Sequence, residues 1–249
     1  MKDPTKRKIL ILGAMREEIT PLVRLFGKKV FSAHKGKIIE TVAGESTVYF
    51  FVTGVGRRNV EKQLCAIEDT IRAVDLVVLV GICGATDKTL NVGNIVIPDK
   101  IVSPAGEDIP IDETMRAYVL TNAFQKNIFC TGTLLTEDKL FTLSEKRSVS
   151  TSRPDVRIVD MEAYYIGEYL QREHVPFLVV KAVSDGLCFL FPKENFLAEH
   201  FNAKGFKKKV KALLCQPIDS IKLLVLKYNI AKAVAINVQY VAAIVKSMV

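Results

Sequence analysis

Five carboxylates follow directly on apolar, strand-like runs. Glu17 and Glu18 come after Lys8–Gly13, Asp160 and Glu162 after Val156–Val159, and Asp185 after Phe177–Val183. Each alone reads as a helix N-cap or first-turn acid, worth a few tenths to about 1 kcal/mol. An open α/β sheet, however, gathers its site at the carboxyl ends of its strands. Acids at several such ends can converge in one cleft. A second feature is the apolar run Leu76–Val80, which leads into Gly81-Ile82-Cys83-Gly84. A buried strand feeding a tight loop with two glycines has the outline of a phosphate cradle.

The elements that must position these residues follow from periodicity. Strands are expected at Lys8–Gly13, Val30–Ala33, Lys37–Ala43, Thr47–Thr53, Leu76–Val80, Val92–Pro98, Ile128–Leu135, Val156–Val159 and Phe177–Val183. Helices are expected at Glu17–Phe26, Asn59–Arg72, Tyr118–Gln125, Met161–Glu173 and Asn195–Leu214, with one or two more after Pro217. Ser144–Ser152 reads as a polar helix or loop. Helices alternating with fully apolar strands predict an α/β three-layer sandwich with a mixed, largely parallel central sheet flanked by helices. Without repeats or a flexible linker, residues 1–249 read as a single domain.

Composition narrows the function classes. Apolar residues make up 49% and charged residues 25%, near the soluble globular average. Net charge is +8, but the basic residues are spread along the chain. Only Lys207–Lys211 is dense, and it reads as a solvated helix face, so no nucleic-acid partner is expected. The five cysteines form no CxxC pair and read as reduced, buried thiols. Residues Met1–Lys8 do not have the pattern of a signal peptide, and no stretch of 18 uninterrupted apolar residues occurs. A cytoplasmic protein without a membrane span is expected. His34, His174 and His200 match no metal spacing, Gly54 and Gly56 lack the third glycine of a dinucleotide fingerprint, and Cys83 has no partner base in sequence. No metal and no cofactor is expected.

Four segments in order, "ILGAMREEIT", "VTGVGRRNV", "VGICGATDKTLNVGNIVIP" and "VDMEAYYIGEYLQREHVPFLVVKAVSD", resemble the purine and uridine phosphorylase superfamily. Its methylthioadenosine/S-adenosylhomocysteine nucleosidase branch is the most similar. The resemblance runs from about residue 8 to 186, and residues from about 194 to 249 read as a helical C-terminal extension. It implies a nucleoside phosphorylase-like fold and cleavage of the N-glycosidic bond of a purine nucleoside. By the motifs, Asp185 matches the general acid that protonates the leaving base, an acid whose pKa burial should raise. Glu18 matches the residue that positions and activates water. Glu162 matches the carboxylate on the ribose hydroxyls, and Met161 the apolar wall against the sugar. Ser184, Val159 and Asp160 line the pocket, Leu140 and Phe141 cover the base, and Ile82, Cys83 and Gly84 lie beside the ribose and the water.

The same comparison separates water from phosphate as nucleophile. In the phosphorylase branch an arginine two residues before the first glycine and a serine directly after it hold the phosphate. Here those positions are Leu79 and Ile82, which offer no side-chain donor. Glu18 beside a phosphate dianion would be repulsive. The resemblance therefore implies a nucleosidase, acting on a 5′-substituted adenosine of the methylthioadenosine or S-adenosylhomocysteine kind or one with a bulkier group. A phosphate-dependent phosphorylase and a non-catalytic nucleoside-binding relative stay open as alternatives. Arg57, Arg58 and Lys181 are the cations a different anion site would use, and Lys181 stands where the nucleosidases carry an arginine. Tyr164 and Tyr165 replace the small residues that usually follow "MEA". The resemblance also implies a homodimer or higher homo-oligomer.

Overall fold

A computed structural model describes residues 6–27, 31–33, 38–121, 129–190, 192 and 217–249. Strand β1 (Lys8–Gly13) is buried from Ile9 onward and lies parallel to β4 (Ser46–Val52) on one side and β5 (Leu76–Ala85) on the other. A strand with parallel neighbours and both faces covered has no polar side, so its sequence is a continuous apolar run. Helix α1 (Arg16–Phe26) follows at once and buries Ile19, Leu22 and Phe26. Strands β2 (Phe31–Ala33), β3 (Ile38–Ala43) and β4 form the expected antiparallel meander.

Helix α2 (Arg57–Cys65) and helix α3 (Glu68–Ala73) replace the single helix expected over 59–72. The chain turns at Ala66 and Ile67, whose N–H groups bond only three residues back, to Gln63 and Leu64. The buried Ile67 side chain holds that turn against the core.

Strand β5 is the axis of the sheet. Its first part, Leu76–Leu79, lies beside β1, and its last residues, Gly84 and Ala85, lie antiparallel to β11 (Val156–Asp160). Strand β12 (Phe177–Asp185) runs parallel along it from Phe177, opposite Val77, to Asp185, opposite Gly84. The sequence ends this strand at Val80 and assigns Gly81–Thr86 to a loop. In the structure both glycines lie inside β5, because β12 and β11 continue to supply ladder partners beyond Val80. The expected strand over 177–183 likewise runs on to Asp185.

Strands β6 (Ile95–Val96) and β9 (Phe129–Cys130) join the sheet through β12. Strands β7 (Lys100–Val102), β8 (Asp108–Pro110) and β10 (Thr133–Thr136) extend it beyond β11. Two expected strands are shorter than their sequence suggests. Gly93, at φ +96°, turns the chain before β6, and Gly132, at φ +139°, separates β9 from β10. A Cβ at Gly132 would meet the Arg157 side chain at 2.5 Å.

Helices α4 (Glu113–Thr121), α5 (Leu143–Ser152), α6 (Ala163–Arg172) and α7 (Pro217–Met248) complete the layers. Helix α7 is described from Pro217 to Met248. It packs on β12, β5 and α1. Its buried Asn237 donates to the carbonyls of Gly81 at 3.2 Å and Val180 at 3.1 Å, fixing the helix to the two central strands. Among the described residues no helix is long and apolar enough to cross a membrane. The helix expected over 195–214, the basic run 207–211, His34, His200 and Cys215 lie outside the described residues.

Candidate active site

The carboxyl ends of β1, β11 and β12 bring four acids to the carboxyl half of β5. Glu18, Asp160, Glu162 and Asp185 are all buried. Glu17, the remaining strand-end acid, is exposed on α1. The four divide into two groups, one on either part of the Gly81–Gly84 segment.

The first group shares Lys181. Its ammonium lies 2.8 Å from Asp160 Oδ2, with both side chains almost fully buried. Burial opposes its charge, yet Asp160, Glu162 and Glu18 together hold its pKa above the usual lysine range. Asp160 also accepts from Thr136 Oγ1 at 2.8 Å and from the Ala163 N–H, so it anchors the first turn of α6. Glu162 sits at the N-cap of α6, and its Oε1 accepts the Gly56 N–H at 3.1 Å. Burial first, then the negative charge of Asp160, pushes the Glu162 carboxyl up to about 7, with Lys181 opposing.

Glu18 is held by main chain on both oxygens. Oε2 accepts the Met15 N–H at 2.9 Å, the acidic half of a capping box, and Oε1 accepts the Ile82 N–H at 3.1 Å. Burial raises its pKa, with Lys181 and the backbone donors opposing. Gly81 gives it space: a Cβ there would stand 2.8 Å from Glu18 Oε1, and φ is +146°. Both features demand glycine.

The second group is built on Asp185. Ser184 Oγ lies 2.7 Å from Asp185 Oδ1 and 3.1 Å from the Cys83 carbonyl oxygen. Asp185 Oδ2 is in direct contact with the ammonium of Lys146, which reaches in from α5. Lys146 is buried at 1% exposure, and burial pulls its pKa down to about 8. Gly84 accommodates this pair: a Cβ there would lie 2.5 Å from Lys146 Nζ and 3.2 Å from Asp185 Oδ2. The burial expected at Asp185 is present, with a cation beside it that the sequence did not indicate.

The remaining expected residues are placed as follows. Val159 pairs with Gly84 across the ladder, and Met161 is half-buried between Asp160 and Glu162. Cys83 is buried, and burial pushes its thiol up to about 12, which suits an inert filler. Phe141 packs into a small cluster with Val102, Leu135, Val156 and Val159, whereas Leu140 is 55% exposed. The structure thus places Phe141 in packing under α5 and leaves Leu140 as the outward residue of the pair. Tyr164 and Tyr165 donate to Glu107 and Asp138, and the Arg57 guanidinium lies 5.2 Å over the Tyr165 ring while pairing with Glu61.

Sequence reasoning missed Lys146, Thr136 and the Gly56 N–H. A buried lysine on an otherwise polar helix carries no periodic signal. Thr136 is the last residue of β10, and its role depends on where β11 lies.

A family model described as the phosphorylase superfamily matches residues 8–218. A 5′-methylthioadenosine/S-adenosylhomocysteine nucleosidase of Staphylococcus aureus is 24% identical over 197 residues, covering 70% of this chain and 85% of that protein. Among solved structures, a futalosine hydrolase mutant of Helicobacter pylori has a TM-score of 0.74 at 18% identity, covering 97% of this chain and 99% of that one. A 5′-methylthioadenosine/S-adenosylhomocysteine nucleosidase from S. pneumoniae with the transition-state inhibitor MT-ImmA has a TM-score of 0.73 at 18% identity, covering 97% of this chain and 100% of that one. The structural likenesses speak for the fold and bear out the nucleoside phosphorylase-like architecture. They also take in the C-terminal part, beyond Asp185, where the sequence motifs end.

Proposed function

The chain belongs to the phosphorylase superfamily, and from that premise we propose that it hydrolyses the N-glycosidic bond of a 5′-substituted adenosine, releasing the free base. The observation that carries this reading is the burial of Glu18, Glu162 and Asp185 around one segment of β5 that has no side-chain donor for phosphate. Leu79 is fully packed in the core, and Ile82 contributes its N–H to Glu18. Three cations that could have held an anion are otherwise engaged, Lys181 by Asp160, Arg57 by Glu61 and Lys146 by Asp185, while Arg58 is exposed on α2.

Each group then has a task. The C1′–N9 bond breaks as Asp185 delivers a proton to the base, because an anionic purine leaves poorly. The ribosyl group becomes oxocarbenium-like and is stabilised by the excess of carboxylates over cations in the Lys181 group. Glu162, aligned by the Gly56 N–H, holds the ribose hydroxyls, with Met161 and Val159 against the sugar. Glu18 orients water toward the anomeric carbon and takes its proton, a role helped by a raised pKa. The relatives named above as nucleosidases support this substrate class, and the futalosine hydrolase neighbour supports room for bulkier 5′ groups. We further place the protein in the cytoplasm as a single-domain homo-oligomer, which light scattering and localisation of the tagged full chain test.

The direct test is a panel of purine nucleosides differing at the 5′ position, scored for free base. Release from methylthioadenosine and its thioether analogues, lost in Asp185→Asn, is expected. Tight nucleoside binding without release of base from any member of the panel overturns the enzymatic reading in favour of a binding protein.

A further inference from the structure

We propose that Lys146 is a positioning residue that stores beside Asp185 the proton which Asp185 passes to the departing base. The inference rests on the nucleosidase reading above, and it concerns a residue outside the motifs that carry the resemblance.

Three observations support it. Lys146 is one of the largest fully buried side chains, although α5, which carries it, is mostly polar. The register of that helix is set by a capping box, in which Glu145 Oε2 accepts the Thr142 N–H at 2.8 Å and Thr142 Oγ1 accepts the Glu145 N–H. With the helix start fixed, residue 146 turns inward to Asp185. Secondly, Gly84 has no left-handed φ, so its backbone conformation does not call for glycine. The space does: a Cβ at Gly84 would meet Lys146 Nζ at 2.5 Å and Cε at 2.9 Å. Position 84 is thus shaped around the ion pair. Thirdly, both oxygens of Asp185 are engaged, Oδ1 by Ser184 and Oδ2 by Lys146. Ser184 and Lys146 are thus the two neighbours in contact with Asp185 that could supply its proton. Ser184 is a neutral hydroxyl that also lies by the Cys83 carbonyl, so Lys146 is the acidic one.

The proton count closes. At rest the pair holds one transferable proton, as ammonium with carboxylate or as amine with carboxylic acid. As the C1′–N9 bond breaks, its electron pair goes to the base. Lys146 passes the stored proton to Asp185 and the base takes it from Asp185, leaving a neutral amine and a carboxylate. Water adds to C1′ and gives its proton to Glu18, and solvent returns Lys146 to its charged form. Among the groups that face Lys146 are Asp185 on β12 and the Cys83 thiol on β5, with Lys181 and Asp160 beyond Cys83. On its own helix, Glu145 is turned outward to Lys139.

The test uses the full chain with Lys146→Met and Lys146→Arg, measuring kcat, KM and the pH profile of base release. Lys146→Met is expected to lower kcat about a hundredfold, within the range of lost general-acid assistance, with KM changed less than about threefold. Arginine keeps the positive charge but does not give up its proton. Lys146→Arg should therefore fail to restore kcat, and both variants should lack the fall in kcat above about pH 8 that is expected of the unaltered enzyme. Restoration of kcat by Lys146→Arg, or an unchanged kcat and pH profile in Lys146→Met, overturns the proposal while leaving the nucleosidase reading standing. Lysine 15N NMR on the unaltered chain is independent of turnover and of how the variants fold. One Nζ titrating near pH 8 and shifted by Asp185→Asn is expected. All lysines titrating in the ordinary range near about 10.4 would overturn it even in a chain that releases no base.

Discussion

The two halves of the site use a buried lysine in opposite ways. In one, Lys181 is shared among Glu18, Asp160 and Glu162, so the half carries more carboxylates than cations. In the other, Lys146 faces Asp185 as a matched pair. The first arrangement leaves protons to be held by carboxylates, as the raised Glu162 and Glu18 show. The second leaves one proton to be passed between two groups. The difference teaches that one strand segment supports two electrostatic regimes. Gly81 admits Glu18 on one part and Gly84 admits Lys146 on the other. These glycines are therefore not a phosphate cradle. They are clearances for side chains that arrive from α1 and α5.

The comparison can be broken by removing one group at a time. The largest effect is expected for Asp185→Asn, with kcat lower by a factor on the order of 10² to 10⁴. Because Lys146 then stays buried without its anion, stability should fall as well, by about 3–5 kcal/mol. The double variant Asp185→Asn with Lys146→Met should recover much of that stability and none of the activity. A double-mutant cycle by denaturant melts reads the coupling directly.

Lys181→Met attacks the other half. Three buried carboxylates then lack their common cation, and a loss of about 3–5 kcal/mol is expected near neutral pH. The loss should shrink toward about pH 5, below the raised pKa of Glu162, and the raised pKa of Glu18 acts in the same direction. An equal loss at both pH values would show that Lys181 acts by packing alone.

A smaller effect of opposite sign is expected for Glu162→Gln. Its carboxyl is raised from 4.5 to about 7, so between those values the folded chain holds a proton that the unfolded chain has released. The corresponding stability is present at low pH and lost as pH rises through about 7. Glutamine keeps the Gly56 contact without the charge. The variant should melt above the unaltered chain at about pH 8, by roughly 1–3 kcal/mol, and alike at about pH 4. Its activity should drop mainly through KM if the residue holds ribose.

The smallest effect belongs to Ile82→Ser. Ile82 serves Glu18 through its backbone N–H, which serine retains. Stability within about 1 kcal/mol and base release still indifferent to phosphate are expected. A variant that gains phosphate dependence would show that the side chain at position 82 alone sets the nucleophile.

The half around Lys181 was largely legible in the sequence, because strand-end acids and the "KAVSD" lysine all lie on β-strands or their first turns. The layers and the early meander were legible for the same reason, since hydrophobic period is a local signal. What escaped was tertiary. The length of β5 depends on partners supplied by β11 and β12, far along the chain. Glycines within a strand look the same in sequence as glycines in a loop. Lys146 escaped because a polar helix gives no hint of which lysine turns inward, and Phe141 because packing under α5 fixes its direction.

The most direct test of the account is base release from methylthioadenosine in phosphate-free buffer and with added phosphate, with the sugar product identified in each. Equal rates and free methylthioribose in both are predicted, because the buried lysines of the two halves are each paired with a carboxylate, Lys181 with Asp160 and Lys146 with Asp185. Release that requires phosphate and yields a ribosyl 1-phosphate would contradict it.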